Sequence, residues 1–235
     1  MGIPLFFRYL VNNYDDIISS NKKLLNCNNL YLDLNCAIHY CCREILKDVE
    51  YSKQNKNKIE EKMLNNVLKY IELLYDYSKP DKLLFIAVDG PAPKAKMIQQ
   101  RQRRFKKFYD KTKLNEILQE EGIEIPPEKE EWDTNAITPG TIFMDKLAHK
   151  LKYTLPNNPK YKNINIIISD SNIPGEGEHK LLDHIRSNFD KNKNESNVIY
   201  GLDADLIMLC LVSRVPDIYL LRETVEFDNS IHKSG

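Results

Sequence analysis

Five short apolar segments constrain the fold of this chain more than any other feature: Leu30–Leu34, Leu83–Val88, Ile164–Ser169, Val198–Gly201 and Ile218–Leu221. Each is rich in branched or aromatic residues and reads as a buried strand. The stretches between them carry helical periodicity. Ile59, Met63, Val67, Ile71 and Leu74 form one face of an amphipathic helix that should end near Pro80. Thr138-Pro139 reads as the N-cap and first position of a second helix, with Phe143, Leu147 and Leu151 on one stripe. Glu178–Phe189 reads as a third, with Leu181, Leu182, Ile185 and Phe189 inward. Strands alternating with helices predict an α/β domain, a mostly parallel sheet flanked by helices.

The composition agrees with a globular chain. Its 235 residues suffice for a sizeable core, and 42% hydrophobic with 29% charged residues is an ordinary mixture. No apolar run approaches the roughly 18 residues needed to cross a bilayer. The N-terminus lacks a basic region ahead of an apolar stretch, and Phe6 breaks the myristoylation pattern. Five cysteines (Cys27, Cys36, Cys41, Cys42 and Cys210), with no Cys-x-x-Cys pair, argue for reduced thiols rather than disulfides or a zinc module. These signs lead us to expect an intracellular protein with no membrane partner. The Asn- and Lys-rich stretches 47–66 and 188–197 read as solvated loops.

Carboxylates recur where the strands end. Asp33 closes the first strand and Asp89 the second; Glu176 and Glu178 follow the third; Asp203 and Asp205 follow the fourth. In an open parallel sheet the carboxyl ends of the strands share one edge, where ligands bind. Six carboxylates brought together repel unless cations neutralise them, and oxygen donors suit hard cations such as Mg²⁺ or Mn²⁺. Two such ions roughly 4 Å apart form a clamp for in-line phosphodiester cleavage. The Glu-x-Glu and Asp-x-Asp spacings suit this if the residues are extended, since i and i+2 then point the same way. Taken singly, an Asp after a strand more often caps a turn or helix; repetition at four strand ends favours the metal reading.

Lysine and arginine total 34, as do aspartate and glutamate, so the net charge is zero. The charge is nevertheless sorted. From Lys94 to Lys113 the only acid is Asp110, and the run starts five residues after Asp89. On a helix, Lys96, Gln100, Arg103 and Arg104 form a cluster able to hold a phosphate. From Glu116 to Glu131 the charge turns acidic, which reads as a solvated face.

At these positions the sequence resembles the XRN family of 5′→3′ exoribonucleases. The shared stretches include Met1-Gly2-Ile3-Pro4, Leu30–Asn35 with Ile38-His39, and Asp89–Met97 with Gln99-Gln100-Arg101 and Arg103-Arg104-Phe105. They continue through Ile137–Thr141, Pro174–Lys180, Gly201–Leu209 and Leu221-Arg222-Glu223. The resemblance implies a PIN/FEN-like nuclease fold and Mg²⁺- or Mn²⁺-dependent hydrolysis, with two ions, of single-stranded RNA bearing a 5′ monophosphate. By the same resemblance, Asp33, Asp89, Glu176, Glu178, Asp203 and Asp205 match the metal-binding acids. Lys96, Gln100, Arg103 and Arg104 match the 5′-phosphate pocket, and His39 the histidine that stacks on the first base. Without the resemblance, His39 reads as a core or capping histidine.

Residues 1–235 are therefore expected to form an XRN-type N-terminal nuclease domain. The family's further conserved segment, which supplies a seventh acid and an aromatic partner for the histidine, is expected to be missing. Asp170-Ser171 is closer to the nuclear branch and Gly201–Asp205 to the cytoplasmic one; the cytoplasm is preferred. Two readings compete with an RNA-degrading enzyme: an inactive module that binds RNA 5′ ends, and a DNA flap nuclease on the same fold.

Overall fold

The structure, a computed structural model, describes residues 5–18, 27–123, 130–190 and 193–223. Its strands are β1 (Asn29–Asp33), β2 (Leu83–Ala87), β3 (Asn165–Ser169), β4 (Asn197–Tyr200) and β5 (Ile218–Leu221). They match the five expected segments to within one residue at each end. Its helices are α1 (Phe6–Asn13), α2 (Asn35–Asp48), α3 (Lys56–Ser78), α4 (Lys94–Glu120), α5 (Ile142–Asn157), α6 (Gly177–Ser187) and α7 (Asp205–Ser213). The spatial strand order is β3-β2-β1-β4-β5, and every neighbouring pair is parallel. The chain starts at the centre, winds outward to β3, then crosses to the far side of β1. The winding therefore reverses between β1 and β4, which places a crevice at the carboxyl ends of those strands.

Alternation along the strands builds a core on each face of the sheet. Leu30 and Leu32 of β1, Leu84 and Ile86 of β2, and Val198 and Tyr200 of β4 pack with buried residues of α2, α3 and α5. Their neighbours Tyr31, Phe85, Ala87 and Ile199 pack with α6 and α7 through Leu181, Leu182, Ile185 and Leu206. A one-residue slip of any central strand would exchange these two sets, so the double-sided core holds the register and with it the level at which each strand ends.

The helix α3 carries the expected stripe, with Ile59, Met63, Val67, Ile71 and Leu74 buried. It ends at Lys79, in the left-handed region (φ 47°), one residue before Pro80. Residues 56–66, expected in a solvated loop, are instead its first turns: the Asn and Lys residues lie mostly outward, while Ile59, Glu60, Met63 and Leu64 are buried. In the other Asn-rich stretch, Asn197 opens β4 and is buried against Asn29; residues 191–192 lie outside the described residues. The cap of α5 is Thr141, whose hydroxyl accepts from the Met144 amide, and not Thr138. Thr138-Pro139 forms the preceding turn, which the Thr141 hydroxyl closes by donating to the Thr138 carbonyl. The helix α6 stops at Ser187, leaving Phe189 half-buried beyond it.

On α4 no described side chain is buried. Its exposed acidic end, through Glu120, agrees with a solvated face, whereas Trp132 just beyond is buried. The indole of Trp132 donates to the buried Glu60 carboxylate, which also pairs with Lys146, so this segment is tied to α3 and α5. All five cysteines are free. No helix among the described residues is long and apolar enough to cross a membrane.

Candidate functional site

The carboxyl edge of the sheet gathers the acidic residues. Asp33 is the last residue of β1, and Asp89 lies two past the end of β2. Glu176 is the N-cap of α6 and Glu178 stands in its first turn. Asp203 follows β4, and Asp205 opens α7. Five of the six (Asp33, Asp89, Glu176, Glu178 and Asp203) line one cleft of about 250 Å³, together with Asn35, Cys36 and Leu202. Asp205 does not line this cleft but is close enough for its charge to act on Glu178.

The close approach of β1 and α6 depends on a glycine. A Cβ on Gly177 would lie 2.5 Å from Asp33 Oδ1 and 3.4 Å from Asp89 Oδ1. The Gly177 amide instead donates to Asp89 Oδ1 at 2.6 Å, while the Asp89 amide donates to Asn35 Oδ1 at 3.1 Å. A negative side chain at the start of α6 also suits the helix dipole. The capping and cluster readings of these acids therefore coexist: Asp203 Oδ1 accepts from the Asp205 amide at 3.3 Å, and Asp33 accepts from the Asn35 amide. The expected geometry of the two paired motifs differs, however. Neither pair is an extended i, i+2 repeat. Each straddles the start of a helix, with Glu176 and Asp203 ahead of it and Glu178 and Asp205 in its first turn.

Crowding has an electrostatic signature. Burial, then the charges of Asp89, Glu178 and Asp203, push the Asp33 carboxyl up to about 8. Burial also raises Asp89, with Glu176 adding to it, against the opposing pull of the Gly177 amide, Lys180 and Lys96. Glu178 is raised by burial and then by Asp203. This is the state of a carboxylate set short of positive charge. As arranged, no three His, Cys, Asp or Glu side chains among the described residues enclose a cation. The donor chemistry nonetheless fits a hard divalent cation, since carboxylate oxygens dominate the cleft.

The basic helix begins at the rim of this cleft. Lys96 Nζ donates to Glu176 Oε2 at 2.8 Å, which raises the lysine. Arg103 stands near enough to Lys96 to oppose that rise. Gln100 is half-buried and Arg103 exposed, while Arg104 reaches across to the Thr138 hydroxyl at 2.9 Å. The structure thus brings Lys96 to the acids and keeps Arg103 beside it, but commits Arg104 to the turn before α5.

His39 lies on the outer face of α2 and is exposed, so it is neither a core nor a capping residue. It lines a neighbouring cleft of about 270 Å³ with Arg43, Leu46, Trp132 and Thr134. Burial of part of its ring, then Arg43, lowers its pKa, whereas the charge of Asp89 raises it.

Four residues of the site carry no role in the sequence reading: Asn35, Cys36, Lys180 and Arg222. Asn35 and Cys36 follow Asp33 directly, and their position at the start of a helix on the same edge was their only signal. Lys180 and Arg222 both sit inside stretches that carry the family resemblance. The guanidinium of Arg222 donates to the carbonyls of Leu202 and Asp203 and lies over the Phe7 ring, 4.3 Å from its centroid.

A parallel α/β sheet with an acidic crevice at its switch point and a basic helix at the rim defines the structural class of this protein. Comparison with known proteins narrows this class. Residues 1–224 match the family described as XRN 5'-3' exonuclease N-terminus, and the chain belongs to that family. It is 42% identical to 5'-3' exoribonuclease 1 of Saccharomyces cerevisiae, over 100% of this chain and 16% of that protein. It is 41% identical to 5'-3' exoribonuclease 1 of Schizosaccharomyces pombe, over 97% of this chain and 17% of the relative. It is 38% identical to the 5'-3' exoribonuclease 2 homolog of Drosophila melanogaster, over 95% of this chain and 28% of the relative. The chain thus spans between about a sixth and just over a quarter of the length of these relatives. Its α/β fold agrees with the PIN-like domain expected for the family. The shared Met1-Gly2-Ile3-Pro4 motif lies outside the described residues.

Proposed function

We propose that this chain is a 5′→3′ exoribonuclease domain, spanning residues 1–235, that hydrolyses single-stranded RNA bearing a 5′ monophosphate and releases 5′ mononucleotides. The observation that supports it most is the meeting of the acidic cleft and the basic helix, where Lys96 touches Glu176. Asp33, Asp89, Glu176, Glu178, Asp203 and Asp205 would hold Mg²⁺ or Mn²⁺. Divalent cations bound there supply activation of water and the charge that stabilises the departing oxygen.

The protein's own groups account for substrate placement. Lys96, Gln100, Arg103 and Arg104 hold the 5′ phosphate; guanidinium forks suit its oxygens, and Lys96 exchanges its bond to Glu176 for the phosphate. The His39 ring offers its face to the first base, which an exposed and mostly neutral imidazole can do. End recognition at α4 and cleavage at the sheet edge set the polarity. The cytoplasm is our preferred compartment, on the wording of Gly201–Asp205.

The test is the purified chain with Mg²⁺ on single-stranded RNA carrying a 5′ monophosphate or a 5′ hydroxyl. Mononucleotide release is expected from the first at a rate at least tenfold above the second, in line with the loss of charge-assisted bonds to the phosphate. Equal rates would overturn the role of the basic helix, and no release with either would overturn the nuclease reading.

A further inference from the structure

Lys180 is a buried lysine that the proposed chemistry does not use. It lies on α6, two residues past Glu178, and only 9% of its surface is exposed. Side chains on a helix lean toward its N-terminus, and this one runs back beneath the turn that carries Glu176. A Cβ on Gly175 would lie 3.6 Å from its Cγ and 3.8 Å from its Cε. The ammonium then donates to two backbone carbonyls, Val88 at 2.7 Å and Asp170 at 2.9 Å.

Those carbonyls lie where the β2–β3 ladder ends. The last ladder-like bond runs from the Val88 amide to the Ser169 carbonyl at 2.9 Å. Beyond it the strands separate, and buried carbonyls there need another donor. The Val88 carbonyl belongs to the peptide that leads into Asp89. Whatever holds that peptide plane sets where the Asp89 side chain begins. Because Lys180 is part of α6, the same two bonds tie the helix start bearing Glu176 and Glu178 to the strand end bearing Asp89. Gly90 closes the arrangement, its amide donating to the Gly175 carbonyl at 2.8 Å.

We infer that Lys180 is a positioning residue that fixes Asp89 against Glu176 and Glu178 by capping the ends of β2 and β3. Its hydrogen bonds go to the backbone, and its charge also acts on the Asp89 carboxylate. The inference rests on the reading of the acidic cleft as a cation site. The substitutions Lys180→Met, which keeps the stem and removes the donors, and Lys180→Gln, which keeps donors on a shorter reach, separate the role from simple bulk.

Mn²⁺ binding, followed by calorimetry or by the paramagnetic signal of the free ion, is the first readout, and Mg²⁺ dependence of nucleotide release is the second. For Lys180→Met we expect Mn²⁺ affinity to fall 10- to 100-fold, as for outer groups that orient metal ligands. The Mg²⁺ concentration for half-maximal rate should rise in step. Binding of 5′-monophosphate RNA without divalent ions should stay as in the wild type, and Lys180→Gln should recover part of the loss. Unchanged Mn²⁺ affinity and Mg²⁺ dependence in a folded Lys180→Met protein would overturn the inference. So would unfolding of both variants with and without Mg²⁺, which would make the role one of stability alone. If the wild type binds Mn²⁺ but releases no nucleotide, the functional reading fails while the Mn²⁺ titration still decides the role of Lys180. If the wild type binds no Mn²⁺, both fall.

Discussion

Asp33 carries the strain of the site at the level of a single residue. Its carboxyl is raised in the fold above its ordinary value, to about 8, by burial and by three neighbouring acids. The folded protein therefore favours the protonated form. Its contribution to stability is full below the unfolded carboxylate range near 4 and is lost as pH rises through about 8. Two outcomes follow for thermal melts of the metal-free protein. Stability should fall between pH 6 and pH 8.5, and added Mg²⁺ should raise the melting temperature more at the higher pH. Asp33→Asn keeps an acceptor for the Asn35 amide and removes the charge. It should flatten the pH dependence, raise the metal-free melting temperature at pH 8.5 by about 2–4 °C for each kcal/mol recovered, and abolish Mg²⁺-dependent cleavage. A variant that melts below the wild type at pH 8.5 would show that repulsion is not what Asp33 contributes.

At the scale of elements, the helix starts decide the placement of the acids. Gly177 admits α6 to within bonding distance of Asp89, and the same glycine leaves room for Asp33. Gly177→Ala should reduce nucleotide release at least tenfold by pushing α6 away, a prediction checked by single-turnover cleavage. The start of α5 separates two threonines that look alike in sequence. Thr141→Ala removes the cap and should cost about 1 kcal/mol in urea unfolding. Thr138→Ala leaves the cap and frees Arg104 for the phosphate, so it should raise RNA affinity with little change in stability. The periodicity of Val67 and Ile71 made α3 legible because a buried stripe must recur every three to four residues. The Thr-Pro pair suggested the wrong start for α5 because local capping chemistry was satisfied at either threonine. Only the chain's approach to the sheet, with the Thr141 hydroxyl closing the turn, selected one.

The whole molecule has zero net charge, yet binding to RNA should depend strongly on salt. Positive charge is concentrated on α4, and negative charge lies in a cleft where cations are expected to offset it. For single strands the slope of log affinity against log salt is roughly −0.7 for each neutralised phosphate. Arg103→Ala should therefore make the slope shallower by about 0.7 when RNA binding is titrated with KCl, while Lys113→Ala, far along the exposed helix, should leave it unchanged. An unaltered slope for Arg103→Ala would remove that residue from the phosphate pocket.

The five strands, their parallel arrangement and the placement of acids at their carboxyl ends were all written in the sequence. Buried strands demand continuous apolar runs, and the residue that ends such a run is readable directly. The position of Lys96 was readable as part of a basic helix face, though not its bond to Glu176. What the tertiary structure alone decided is which groups meet across elements distant in sequence. Asn35 with Asp89, Gly177 with Asp33, Arg222 with the Leu202–Asp203 turn and Lys180 with two strand ends are all of this kind. The reason is physical: periodicity records which face of an element is buried, whereas a contact between elements depends on where the sheet's winding reverses and how closely a helix can approach it.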